Sequence, residues 1–137
     1  MATKTYQCYR ELLASSRWQQ LAAAGARPQK LLFASTSTQD PEAPDTLYVS
    51  ALAAPDTINT MPEKTLEAFA DHGEVGELLP ADGGDADDIL AQFDRAGVQV
   101  AALAAKLQND GEQAFDGSWD SLLAALERTI SRLGGTR

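Results

Sequence analysis

Four hydroxyl residues in succession, Ser35-Thr36-Ser37-Thr38, follow directly on the apolar run Leu31-Leu32-Phe33-Ala34. A continuous apolar run of that kind, with Gly25 and Pro28 just before it, reads as a strand buried on both faces, as in a parallel sheet. The hydroxyls then stand at the strand's C-terminal end, where α/β proteins place their ligand-binding groups. Other chemistry-bearing residues are sparse. Asp82 and Asp85-Ala86-Asp87-Asp88 suggest a cation loop, but the alternating acids, central Gly and twelfth-position Glu of an EF-hand are missing. These acids are better placed as N-terminal charges of a following helix, so no metal ligands are assigned. The single histidine, His72, sits at the expected end of a helix, where an imidazole suits the dipole. Cys8 has no histidine near it in sequence and reads as a small buried or half-buried apolar residue.

The elements that must position these residues follow from periodicity. Tyr6, Tyr9, Leu12, Leu13, Trp18 and Leu21 recur at helical spacing and predict a helix over 5–24, stopped by Gly25. The strand over 31–35 comes next. Pro41, Pro44 and the turn formers around them make 36–45 a loop. Asp45 or Thr46 can then cap a short helix through Leu47, Tyr48 and Leu52 that Pro55 closes. A second short strand is predicted over 57–61, and Pro62 stands where a helix's first turn accepts proline. That helix, with Leu66 and Phe69, runs to His72 and stops at Gly73. An acidic, Gly-rich connection over 74–84 precedes helices only: one through Ile89, Leu90 and Phe93 to Gly97, one from Val98 to Gly111, and a last one from Phe115 to Leu133. Gly134-Gly135-Thr136-Arg137 reads as a tail or linker. The organisation is therefore 1–73, strand–helix units, and 74–137, a helical segment of the same domain.

Composition narrows the function classes. The chain has 137 residues, 44% of them hydrophobic and 23% charged, enough for one domain with a core. A net charge of -9 with scattered Lys and Arg argues against nucleic acid as a partner. No apolar run reaches the roughly 18 residues of a membrane span. One cysteine allows no internal disulfide, and Met1–Thr5 leads into a helical pattern without an apolar signal core, so a cytoplasmic location is expected.

Helices between the two strands make them parallel, since only a crossover returns the chain to the same end of a sheet. Two such strands leave both edges open. A closed (β/α)₈ barrel takes about 250 residues, so these strands look like the end piece of something larger.

The stretch Gly25-Ala26-Arg27-Pro28-Gln29-Lys30-Leu31-Leu32-Phe33-Ala34-Ser35-Thr36 resembles the bacterial transaldolase family. So do Asp45-Thr46-Leu47-Tyr48-Val49, Asp56-Thr57-Ile58-Asn59-Thr60-Met61-Pro62, and Thr65-Leu66-Glu67-Ala68-Phe69 followed by Asp71-His72-Gly73. The resemblance covers about the last third of a family member. It implies an α/β fold, the C-terminal portion of a (β/α)₈ TIM barrel with its last two parallel strands, followed by C-terminal helices. It also implies transfer of a dihydroxyacetone unit between sugar phosphates in the pentose phosphate pathway. A lysine Schiff base does this without metal or organic cofactor.

The family's Schiff-base lysine and acid/base carboxylates lie on strands before this stretch. Lys4, Lys30, Lys64 and Lys106 remain, none inside a buried strand, so no catalytic residue is assigned. Ser35 matches the family's phosphate-contacting serine, with Thr36 and Ser37 beside it as weaker phosphate-binding candidates and Asn59 at the pocket rim. Gln39 stands where family members often carry a lysine, which weakens the positive charge expected of such a site. The sugar phosphate is thus the expected ligand of the full-length enzyme, and the isolated chain is expected to be inactive. The alternative is a non-catalytic remnant or interaction module of the same fold, which self-associates to cover its strands.

Overall fold

The computed structural model describes residues 1–134; residues 135–137, assigned above to the tail, lie outside the described residues. Helices α1 (Ala2–Ala14) and α2 (Ser16–Ala23) precede strand β1 (Leu31–Phe33). Helix α3 (Leu47–Ala51), strand β2 (Thr57–Asn59) and helix α4 (Glu63–His72) follow, and then α5 (Ala86–Arg95) and α6 (Val100–Gly134). The chain forms two compact units, the first Met1–Ile89 and the second from Leu90 onward.

In the first unit β1 and β2 pair in parallel, with Leu31 opposite Thr57, Leu32 opposite Ile58 and Phe33 opposite Asn59. The expected strand order and direction are therefore present, and the pair matches the end of the barrel fold. Both strands are shorter than expected. β1 ends at Phe33 instead of Ser35, and β2 ends at Asn59 instead of Met61. One further rung, Thr60 N–H to the Phe33 carbonyl at 2.9 Å, closes the ladder. Nor are both faces covered within this chain: Leu32 and Ile58 are 47% and 43% exposed.

The core of this unit lies under α1. Tyr6 and Tyr9 are buried, and their hydroxyls donate to the carbonyls of Pro55 and Asp56 at 3.3 Å each. Of the apolar positions read at helical spacing, the two tyrosines are the packing face, their polar tips gripping the turn that launches β2, whereas Leu12 and Leu21 are exposed. Arg10 adds an ion pair to Asp56 at 3.0 Å. Lys4 reaches Asp87 at 2.9 Å and ties α1 to the start of α5. Cys8, one position off the buried stripe, is exposed, contrary to the expectation of a buried or half-buried thiol.

The single helix expected over 5–24 is broken at Ser15, whose backbone is extended (φ -63°, ψ 143°). Its hydroxyl donates to Leu12 O at 2.7 Å and accepts from Trp18 N–H at 3.3 Å. Serine offers the backbone local partners of this kind in competition with helical ones, which favours caps over helix interiors. Gly25 ends α2 at φ +95°, as a C-terminal glycine should.

In the second unit the expected stop at Gly111 does not occur, and α6 runs through it and through Gly117 to Gly134. A glycine costs about 1 kcal/mol relative to alanine inside a helix. Here Ala, Leu, Lys and Gln on the N-terminal side keep propensity high, and no proline follows to enforce a stop. Phe115, Trp119, Leu122, Leu126 and Leu133 line this helix and are exposed.

Candidate phosphate-binding site

Ser35, Thr36 and Ser37 follow the C-terminal end of β1, Asn59 is the last residue of β2, and of the four the structure joins Thr36 to Asn59. Simple alternation along a continued strand would put Ser35 on the face of Leu31 and Phe33, and Thr36 on the face of Leu32. The opposite is found. Ser35 adopts φ +57°, a left-handed conformation uncommon for a residue with a Cβ. That one residue reverses the parity, leaving Ser35 exposed and Thr36 only 3% exposed.

Thr36 then lies against β2. Its Oγ1 is 2.6 Å from Asn59 Oδ1 and 3.2 Å from the Thr60 carbonyl. The hydroxyl has one proton to offer these two acceptors. Asn59 is half-buried, and its Nδ2 is enclosed and has no hydrogen-bond partner among the described residues. Thr36 is thus engaged with the neighbouring strand, while the Ser35 hydroxyl stands on the surface.

Ser37 belongs to an adjoining cavity of about 280 Å³, lined also by Thr38, Gln39, Asp45, Pro62, Lys64, Thr65 and Ala68. Ser35 lies outside that lining. Thr38 Oγ1 donates to the Pro44 carbonyl at 2.9 Å, and Gln39 Nε2 donates to Ser37 Oγ at 3.1 Å. Lys64 carries positive charge at this cavity from the first turn of α4, which also presents its N-terminal dipole there. Lys64 received no role from the sequence beyond its place outside the buried strands, and it is exposed here. Its position directly after Met61-Pro62-Glu63, at the strand-to-helix junction, was the available signal.

Asp45, which also lines the cavity, is committed to His72. Its Oδ1 is 2.9 Å from His72 Nε2, and Asp71 Oδ2 is 3.2 Å from Nδ1. The hydrogen bond to His72 holds the Asp45 carboxyl below its ordinary value, and the bonds to Asp45 and then Asp71 raise the His72 imidazole. His72 does end α4, and it also fastens that end to the loop before α3. Among the described residues, no group of three or more His, Cys, Asp or Glu side chains is arranged to hold a metal ion. Asp87 and Asp88 stand in the first turn of α5, as helix-terminal charges, and Asp82 Oδ1 accepts from Gly84 N–H at 3.0 Å. Among the described residues, no helix is long and apolar enough to cross a membrane.

None of the four lysines is buried. Lys4 is raised by its hydrogen bond to Asp87, Lys30 and Lys64 are exposed, and Lys106 pairs with Asp110.

The family model described as transaldolase/fructose-6-phosphate aldolase matches residues 1–126 of the chain. Among curated relatives, the transaldolase of Frankia alni is 46% identical over 134 residues, which is 97% of this chain and 36% of the relative. The transaldolase of Parafrankia sp. is 47% identical over 130 residues, 94% of this chain and 35% of the relative. That of Thermobifida fusca is 45% identical over 131 residues, with 95% and 36% covered. The chain therefore spans about a third of the length of the curated relatives it matches.

Proposed function

Since the chain belongs to the transaldolase/fructose-6-phosphate aldolase family, we propose that it is the part of a transaldolase that supplies the last two barrel strands and a phosphate-binding wall. The match over residues 1–126, with only about a third of each relative covered, is the observation that carries this. The reaction is transfer of a dihydroxyacetone unit from a ketose phosphate to an aldose phosphate. In it a lysine amine adds to the ketose carbonyl and loses water to give an imine. The C–C bond then breaks with its electron pair passing into the imine to form an enamine, and the aldose leaves. The enamine attacks the acceptor aldehyde, and hydrolysis frees the lysine. A carboxylate moves the protons through water.

This chain's part in that sequence is binding. Ser35 is an exposed residue just past the end of β1, and Ser37 and Lys64, together with Asp45, line a neighbouring cavity that does not include Ser35. The hydroxyls and the lysine at this strand end support the phosphate reading. The Schiff-base lysine belongs to a preceding part of the barrel, and the 137-residue chain alone is inactive. Borohydride reduction in the presence of fructose 6-phosphate, followed by intact-mass measurement, tests this. No ketose adduct is expected on the chain, and an adduct on any of its lysines would overturn the assignment. Cytoplasmic location fits the class of chemistry.

A second reading is favoured by one observation, the exposure of Leu32 and Ile58 beside unpaired strand edges. A chain acting alone would cover that surface by self-association. Sedimentation equilibrium at micromolar concentration distinguishes the two: a monomer with a sharp melt removes the self-associating module.

A further inference from the structure

We propose that Thr36 and Asn59 form a positioning pair that holds Ser35 in its left-handed conformation, and that neither touches the phosphate itself. This deepens the assignment of Ser35 as a phosphate contact and rests on it. The Ala34-Ser35 turn is anchored to β2 on both sides. Before it, the Phe33 carbonyl accepts from Thr60 N–H at 2.9 Å. After it, the Thr36 hydroxyl is seated between Asn59 Oδ1 and the Thr60 carbonyl. A residue with a Cβ persists at positive φ only where its surroundings over-determine it, and no glycine is used at this position. Thr36, 3% exposed, is closed to a ligand, as is the enclosed Asn59 Nδ2. Their hydrogen bond is directed at the strand end, and its consequence is the reversed parity that brings Ser35 to the surface.

The donor–acceptor balance sharpens the role of Asn59. With Oδ1 toward Thr36, the hydroxyl's one proton serves two acceptors and Nδ2 has no partner among the described residues. With the amide turned over, Nδ2 donates to Thr36 Oγ1 and Thr36 donates to the Thr60 carbonyl, a directed relay from Asn59 through Thr36 to β2. Either way the link runs through the Thr36 hydroxyl, so loss of that one atom frees the turn.

The test uses the isotope-labelled 137-residue chain in solution, with ¹³C shifts and amide couplings reporting the sign of φ at Ser35, and inorganic phosphate as the titrant. Thr36→Val is expected to abolish the positive-φ signature of Ser35 and to weaken the phosphate response of its amide at least tenfold. Thr36→Ser restores both, and Asn59→Ala behaves like Thr36→Val. Thr46→Val, which also strips a buried hydroxyl from this unit, leaves Ser35 unchanged and so separates positioning from general loosening. Persistence of the left-handed Ser35 in folded Thr36→Val and Asn59→Ala chains overturns the proposal. Should Thr36→Val fail to fold, Asn59→Ala decides by the same readout. If Ser35 changes as expected while the native chain shows no phosphate response, the pair stands and the phosphate-binding assignment of Ser35 fails instead.

Discussion

Tyr6 is the most buried large side chain of the first unit, 2% exposed, in a core whose other buried apolar residues are Tyr9, Val49 and Ala86. So small a core makes each member decisive. Truncation by Tyr6→Ala removes an aromatic ring from a site that backbone collapse can only partly fill, a loss of about 3–5 kcal/mol. Tyr6→Phe keeps the ring and removes only the hydrogen bond to Pro55. At 3.3 Å that bond is long, so the cost belongs at the lower end of the usual range, about 0.5 kcal/mol. Urea unfolding followed by Trp18 fluorescence, with Trp119 replaced by Phe, reports this unit alone. With a slope of about 1–3 kcal/mol/M, the alanine variant's midpoint falls by roughly 2 M and the phenylalanine variant's by a few tenths. Leu32→Ala, at a 47% exposed position, should cost well under 1.5 kcal/mol in the isolated chain. If Leu32→Ala were as damaging as Tyr6→Ala, the core would lie on the sheet face and not under α1, and the reasoning would be refuted.

Two further outcomes follow from the same structure. The His72–Asp45 pair makes stability depend on pH in acid solution. His72 is raised, so its contribution is complete below the unfolded value of 6.5 and is lost as pH rises through the higher folded value. Asp45 is lowered, so its contribution is complete above 3.8 and is lost as pH falls through the lower folded value. The Tm difference between the native chain and Asp45→Asn should therefore be largest near about pH 5 and close toward either side. Glycine substitutions separate φ from space: Gly25 (φ +95°) and Gly111 both have open room for a Cβ. Gly25→Ala should cost about 1 kcal/mol through its left-handed backbone, and Gly111→Ala should stabilise α6 by about 1 kcal/mol. Thermal melts by circular dichroism give both signs.

What the sequence determined by itself was local or pairwise. The apolar run at Leu31, Gly25 and Pro28 before it, and Pro62 after the second strand mark element order. A helix lies between two short strands, so parallel pairing follows from connectivity. The tyrosine stripe likewise announced the buried face of α1, because helical spacing is a local property. Family membership was legible in the runs around Ser35 and Asn59.

Tertiary structure decided the rest. Alternation predicts which face a strand residue occupies only while the backbone stays extended, and Ser35 leaves that region at φ +57°. Nothing in Ala34-Ser35-Thr36 alone dictates that choice; Asn59 and Thr60, more than twenty residues on, supply the partners that make it stable. The assignment of Lys64 to the Ser37 cavity likewise depends on how α4 leaves β2. At Gly111 the balance ran the other way: a local breaker was outvoted by the residues around it. Propensity and period are summed along the chain, whereas the direction of a single side chain at a strand end is set by contacts that no local window contains.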